Sequence, residues 1–123
     1  MKWTWFMALV VITVYFFLSG CGGSSQGAFG APISGYPVIS AGLLFDHPDG
    51  YDGKIVTLQG VIDLQDRNGT WFYFADDDAR IYVDLTGAGF RIPDLTGKSI
   101  KVEGRVAVAE QVPAIMGHGI ELL

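Results

Sequence analysis

The chain has a single cysteine, Cys21, and only two histidines, His47 and His118, among its 123 residues. One thiol cannot close an internal disulfide. Two imidazoles alone cannot supply a three-ligand zinc set; a thiolate or carboxylates would have to join them. Cations are scarce too: eight Lys and Arg stand against 13 Asp and Glu. The formal charge is −5, and residues 1–20 carry one cation, Lys2, and no anion, so the remainder stands at −6. Such a balance argues against nucleic acid as partner, because that binding rests on many Lys and Arg neutralising phosphates. Catalytic signatures are missing as well. There is no G-x-S-x-G, no phosphate-cradling glycine loop and no H-E-x-x-H. Gly87-Ala88-Gly89 reads as a loop between strands. With no nucleophile set beside a base, the expectation is a chain that is not an enzyme and takes no cofactor or metal.

Long apolar runs are absent except at the start. Lys2 precedes Phe6–Leu18, which is apolar apart from Thr13 and Tyr15. A spanning helix needs about 20 residues, so this stretch fits the apolar region of a signal peptide, and the small pair Ser19-Gly20 suits cleavage. The run Leu18-Ser19-Gly20-Cys21 resembles the lipobox of bacterial lipoproteins. The resemblance implies a signal peptide over residues 1–20, cleavage between Gly20 and Cys21, and a diacylglycerol on the Cys21 thiol. Acylation of the new amino group, palmitate being a typical chain, would add to the anchor. Two or three chains suffice for stable membrane anchoring at about 0.8 kcal/mol per buried CH₂. In such lipoproteins an Asp after the cysteine favours inner-membrane retention; Gly22 stands there instead. The resemblance therefore implies an extracytoplasmic lipid anchor, on the outer membrane facing the periplasm where the cell has two membranes.

Residues 22–35 are dominated by Gly and Ser without periodicity. They read as a flexible tether behind the lipidated cysteine, roughly 20 Å in root-mean-square span.

From Tyr36 to Leu123 the pattern is that of one folded domain. Ser40 is placed to cap a short helix ending at Phe45 or His47. Pro48-Asp49-Gly50 and Asp52-Gly53 carry turn chemistry. Five strands follow: Lys54–Asp63 with a bend at Gly60, Trp71–Ala75, Arg80–Leu85, Ser99–Val108 and Ala114–Leu122. Between the third and fourth lies a looser stretch, Thr86–Gly97. In the fourth, Ile100, Val102, Gly104, Val106 and Val108 share the inner side and Lys101, Glu103 and Arg105 the outer. The second and third strands fix their own register. With Asp77-Asp78 as a two-residue turn, Phe74 faces Ile81 and Phe72 faces Val83 inside. Outside, Tyr73 faces Tyr82 and Trp71 faces Asp84. A one-residue slip would set Phe74 against Arg80 and spoil both faces.

The phrases Tyr51-Asp52-Gly53-Lys54-Ile55-Val56, Trp71-Phe72-Tyr73-Phe74-Ala75-Asp76 and Gly97-Lys98-Ser99-Ile100-Lys101-Val102-Glu103-Gly104 are similar to those of small bacterial OB-fold domains. The resemblance implies a mainly β chain: a five-stranded Greek-key barrel preceded by one short helix, over residues 36–123. OB-folds bind ligands across strands 2 and 3, framed by two loops. Trp71, Tyr73, Arg80 and Tyr82 are then the candidate ligand-binding face, with Asp66, Arg67 and Asn68 on one side and Glu110, Gln111 and Pro113 on the other. Asp76-Asp77-Asp78 is read as turn chemistry, since a hard cation needs six or more oxygens. His47 and His118 are read as structural or solvated, with close backbone approach at Gly117-His118-Gly119. The function expected is a membrane-anchored, non-enzymatic binding module serving the cell envelope, with another envelope protein or a small envelope ligand as partner. The alternative is an OB-fold that binds nucleic acid or oligosaccharide.

Overall fold

The computed structural model describes residues 27–77 and 79–123. The expected signal peptide, the Gly20–Cys21 cleavage point and the lipid site on Cys21 lie outside the described residues. Among the described residues, seven strands and two short α-helices follow in the order β1 (Ala28–Gly30), β2 (Val38–Ile39), α1 (Ala41–Asp46), α2 (Pro48–Tyr51), β3 (Ile55–Gln65), β4 (Trp71–Ala75), β5 (Arg80–Asp84), β6 (Ser99–Ala109) and β7 (Val112–Leu122). Among the described residues no helix is long and apolar enough to cross a membrane.

Five strands close a barrel. β3 pairs antiparallel with both β4 and β6, β4 with β5, and β6 with β7. A short parallel pair, Val83–Ile115 and Asp84–Met116, joins β5 to β7 and completes the ring. This is OB-fold connectivity, with β3 serving two neighbours along its length. It can do so because Gly60 has no side chain. A Cβ there would run into the Ala75 carbonyl of β4, which is the close approach that the bend requires. Just beyond, the register shifts between Ile62 and Leu64, so Asp63 is an extra residue in β3.

Alternation in β4 and β5 sends Phe72, Phe74, Ile81 and Val83 inward, where they are fully or almost fully buried with Leu58, Ile62, Ile100, Val102, Ile115 and Ile120. Burying each side chain of this size contributes about 1.5–3 kcal/mol. The observed β4–β5 pairs are Trp71–Asp84, Phe72–Val83, Tyr73–Tyr82 and Phe74–Ile81, the register that the sequence pattern predicts.

Helix α1 begins where Ser40 accepts the Leu43 amide on its hydroxyl, and it buries Ala41 and Leu44 against the barrel. Its first amide, that of Ala41, donates to Asp76 Oδ2 at 2.6 Å, while Oδ1 takes the Ala79 amide at 3.1 Å. One carboxylate thus ties the helix to the β4–β5 turn. The Pro48-Asp49-Gly50 turn is instead the first part of α2, with Pro48 in the first turn, where its missing N–H costs nothing. The one expected helix is therefore two.

The folded part starts before Tyr36, where the sequence still reads as tether. From Gly27 onward the segment is laid on the barrel. β1 pairs antiparallel with β7 through Ala28–Glu121, Phe29–Ile120 and Gly30–Gly119, and the Ala31 amide donates to the His118 carbonyl at 2.7 Å. β2 then pairs parallel with β3. Phe29, a lone large apolar residue in a Gly-rich run, packs against the core, and β7 offers β1 an unpaired edge. Local composition shows neither. Pro113, expected in a framing loop, is buried inside β7 opposite Val108. The loop itself is the two-residue turn Glu110-Gln111, with φ of 52° and 68°.

Candidate functional site

The outward positions of β4 and β5 bring Trp71, Tyr73, Arg80 and Tyr82 onto one flank. All three rings touch. The Tyr73 and Tyr82 centroids lie 5.3 Å apart, Trp71 and Tyr82 5.8 Å, and Trp71 and Tyr73 6.2 Å with the last pair edge to face at 85°. The rings are half-buried, and Arg80 is exposed. Its guanidinium carbon sits 4.3 Å from the Tyr73 centroid, a cation–π contact. Nε of Arg80 also donates to Asp63 Oδ2 at 2.8 Å. Asp63 reaches it because the extra residue in β3 breaks the alternation and puts Asp63 beside Leu64 at the surface. Leu64 is 48% and Val61 39% exposed, so β3 extends the apolar part of the flank. Asp63 is the partner that sequence reasoning misses, and the loose alternation after Gly60 is the only signal of the irregularity.

Two more carboxylates border the rings. Asp84 stands directly across from Trp71, with Oδ1 accepting from the Thr86 amide at 2.8 Å and hydroxyl at 2.7 Å. Asp66, in the β3–β4 turn, accepts the Thr70 hydroxyl on Oδ2 at 2.6 Å. That hydroxyl holds the Asp66 carboxyl below its ordinary range. Partial burial pushes the Tyr82 phenol up, helped by Asp84, Tyr73 and Asp66. Tyr82 therefore stays a neutral donor at ordinary pH. The turn residues Asp66 and Arg67 line a hollow of about 450 Å³ with Gln65, Asp94 and Thr96.

A second polar cluster lies on the opposite flank, under the N-terminal segment. Glu103 sits at an outward position of β6 yet is 1% exposed. Its Oε2 takes the Ser34 amide at 2.8 Å, and its Oε1 takes the Ser34 hydroxyl at 3.2 Å and contacts His118 Nε2 at 2.8 Å. Burial pushes the Glu103 carboxyl up, but the bonds from His118 and Ser34 outweigh it and hold the group below its ordinary value. His118 is the extra residue in β7 where the β6–β7 register shifts. Gly119 beside it leaves room for β1, since a Cβ there would run into the Ala31 carbonyl. The carboxylate lies between the hydroxyl and the imidazole, so these three groups do not form a nucleophile–base relay. They hold the segment down. Thr57, paired with Glu103 across β3 and β6, is buried, and its hydroxyl has no hydrogen-bond partner among the described residues.

Among the described residues no three His, Cys, Asp or Glu side chains gather in a metal-ligand group. Asp76 is committed to two amides, and Asp77 is exposed.

The barrel is an OB-fold. A solved structure described as the hypothetical protein ygiW from E. coli superposes with a TM-score of 0.54 at 20% identity, over 80% of this chain and 100% of that one. A protein from Leishmania major Friedlin assigned as an aspartyl-tRNA synthetase superposes with a TM-score of 0.53 at 11% identity, over 75% of this chain and 21% of that one. These likenesses concern the fold. No protein-family model matches the chain, and no curated protein is significantly similar to it in sequence.

Proposed function

We propose that this chain is a lipid-anchored, extracytoplasmic binding module whose β4–β5 face engages an envelope partner without catalysing a reaction. The observation that carries the binding role is the surface grouping of Trp71, Tyr73, Tyr82 and Arg80 on the strands where OB-folds take ligands. A surface that places three large rings side by side, with a guanidinium held over one of them, supplies contact area and directional polar groups at little conformational cost. Support for the anchor is the signal-peptide pattern and the run Leu18-Ser19-Gly20-Cys21.

Two measurements test the reading. Cells expressing the full chain are labelled with radioactive palmitate and fractionated; the label should enter the wild type and be absent from Cys21→Ser, which should also leave the membrane fraction. Recovery of co-purified material from native membranes is then compared between wild type and Trp71→Ala/Tyr73→Ala. The doubly substituted chain should fold, because both rings face outward, but should lose the partner. Unlabelled wild type contradicts the anchor, and undiminished partner recovery contradicts the face.

A further inference from the structure

The aromatic face contains one arrangement built twice. At Tyr73 a ring, a carboxylate and a cation come together: the Arg80 guanidinium lies 4.3 Å from the ring centroid and bonds Asp63 Oδ2 at 2.8 Å. One residue pair further along, the Trp71 and Tyr82 rings, 5.8 Å apart, stand beside Asp84 and Asp66. Among the described residues no cation lies on either ring. Asp84 engages Thr86 through Oδ1 alone, and its Oδ2 has no hydrogen-bond partner among the described residues; Asp66 is held by Thr70 and by the Arg67 and Asn68 amides of its own turn.

The chain's neighbouring cations are occupied or directed elsewhere. Arg80 is paired with Asp63. Arg105, which shares a hollow of about 260 Å³ with Asp84, donates its Nη1 to the Gly53 carbonyl. Arg67 lines the hollow of Asp66 and Asp94, so Asp84 is the carboxylate left to a partner.

Resting on the reading of this flank as a binding face, we infer that the Trp71–Tyr82 half receives a Lys or Arg side chain from a basic segment of a partner protein. The complement is electrostatic as well as aromatic. Indole and phenol faces attract a cation through their quadrupole, Asp84 offers the acceptor that Asp63 gives to Arg80, and Asp66 adds negative charge beside it. The same carboxylates, on a chain of charge −6 after residue 20, repel a phosphate or carboxylate ligand, so a nucleic acid is the disfavoured occupant.

The test uses the full chain in detergent micelles, titrated with tetra-arginine, tetra-glutamate and a neutral oligosaccharide, while the Trp71 indole N–H resonance is followed. Tetra-arginine should shift that resonance and tetra-glutamate should not. Asp84→Asn should weaken tetra-arginine binding roughly two- to five-fold, the scale of one exposed cation–π or ion-pair contact. Because Asp84 also holds the Thr86 turn, a second variant guards against a folding defect. Arg80→Ala vacates Tyr73 and Asp63, and it should tighten tetra-arginine binding by a similar factor. A merely structural role for these residues predicts no tightening. If Asp84→Asn folds and binds tetra-arginine as well as wild type, or Arg80→Ala does not tighten it, the inference fails. If the oligosaccharide shifts the indole and tetra-arginine does not, the occupant is wrong but the face stands. If no probe shifts it and the native-membrane partner also survives Trp71→Ala/Tyr73→Ala, the binding reading falls with the inference.

Discussion

Glu103 and His118 meet at 2.8 Å beneath the chain's own N-terminal segment, and the Ser34 amide closes the cluster from above at 2.8 Å. A carboxylate at an outward strand position is thereby made a buried anchor. Its folded-state value lies below the ordinary 4.5. A depressed carboxylate contributes stability that is present above its unfolded value and is lost as pH falls through the folded value. Acid should therefore loosen this contact progressively below about pH 4.5. In Glu103→Gln that part of the acid dependence should vanish, with a loss of about 1–3 kcal/mol at neutral pH from the broken charged hydrogen bonds. Urea melts of both forms between pH 3 and 7 measure this; parallel profiles would contradict the assignment.

Gly119 is the point at which β1 approaches β7. Gly119→Ala sets a methyl group against the Ala31 carbonyl, and overpacking of this kind costs about 1–3 kcal/mol. Hydrogen exchange should show early loss of protection at the Ala31 amide, with Phe72 and Phe74 in β4 protected as in wild type. Unchanged protection at Ala31 would mean that β1 does not need the glycine.

The Glu110-Gln111 turn places two side-chain-bearing residues at φ of 52° and 68°. Two-residue hairpins with both φ positive favour Asn-Gly, and a non-glycine residue pays roughly 1 kcal/mol or more for that conformation. Glu110→Asn/Gln111→Gly should raise stability by about 1 kcal/mol, read as a higher urea midpoint at constant slope.

Asp76 ties α1 to the β4–β5 turn through the Ala41 and Ala79 amides. Asp76→Ala should cost about 1–2 kcal/mol, on the scale of a lost helix cap. Exchange at the Ala41 and Ala79 amides should accelerate together. Acceleration at only one of them would show that the two attachments are independent.

Much of the barrel was legible because its alternation is clean. Phe72 and Phe74 against Ile81 and Val83 leave one workable register for β4 and β5, and the same register places Trp71, Tyr73, Tyr82 and Arg80 on one flank. Ser40 announced α1 by its own chemistry. Illegible parts were those decided by contacts far apart in sequence. Gly27–Gly35 has the composition of a tether, yet β1 pairs with an edge some 90 residues later. Glu103 reads as a solvated charge until Ser34 is laid over it. The Asp63–Arg80 pair depends on a register shift within β3 that no local pattern specifies. The lipid anchor rests on short-range sequence signals, and residues 1–26 lie outside the described structure.

The β4–β5 face as the place of contact is tested most directly by photo-cross-linking in living cells. A photoreactive phenylalanine analogue is placed at Tyr82, and separately at Gln59, an exposed position on β3 away from the rings. Irradiation should give a discrete adduct from position 82 and none from position 59. No adduct at 82, or the same adduct from both positions, would contradict the account.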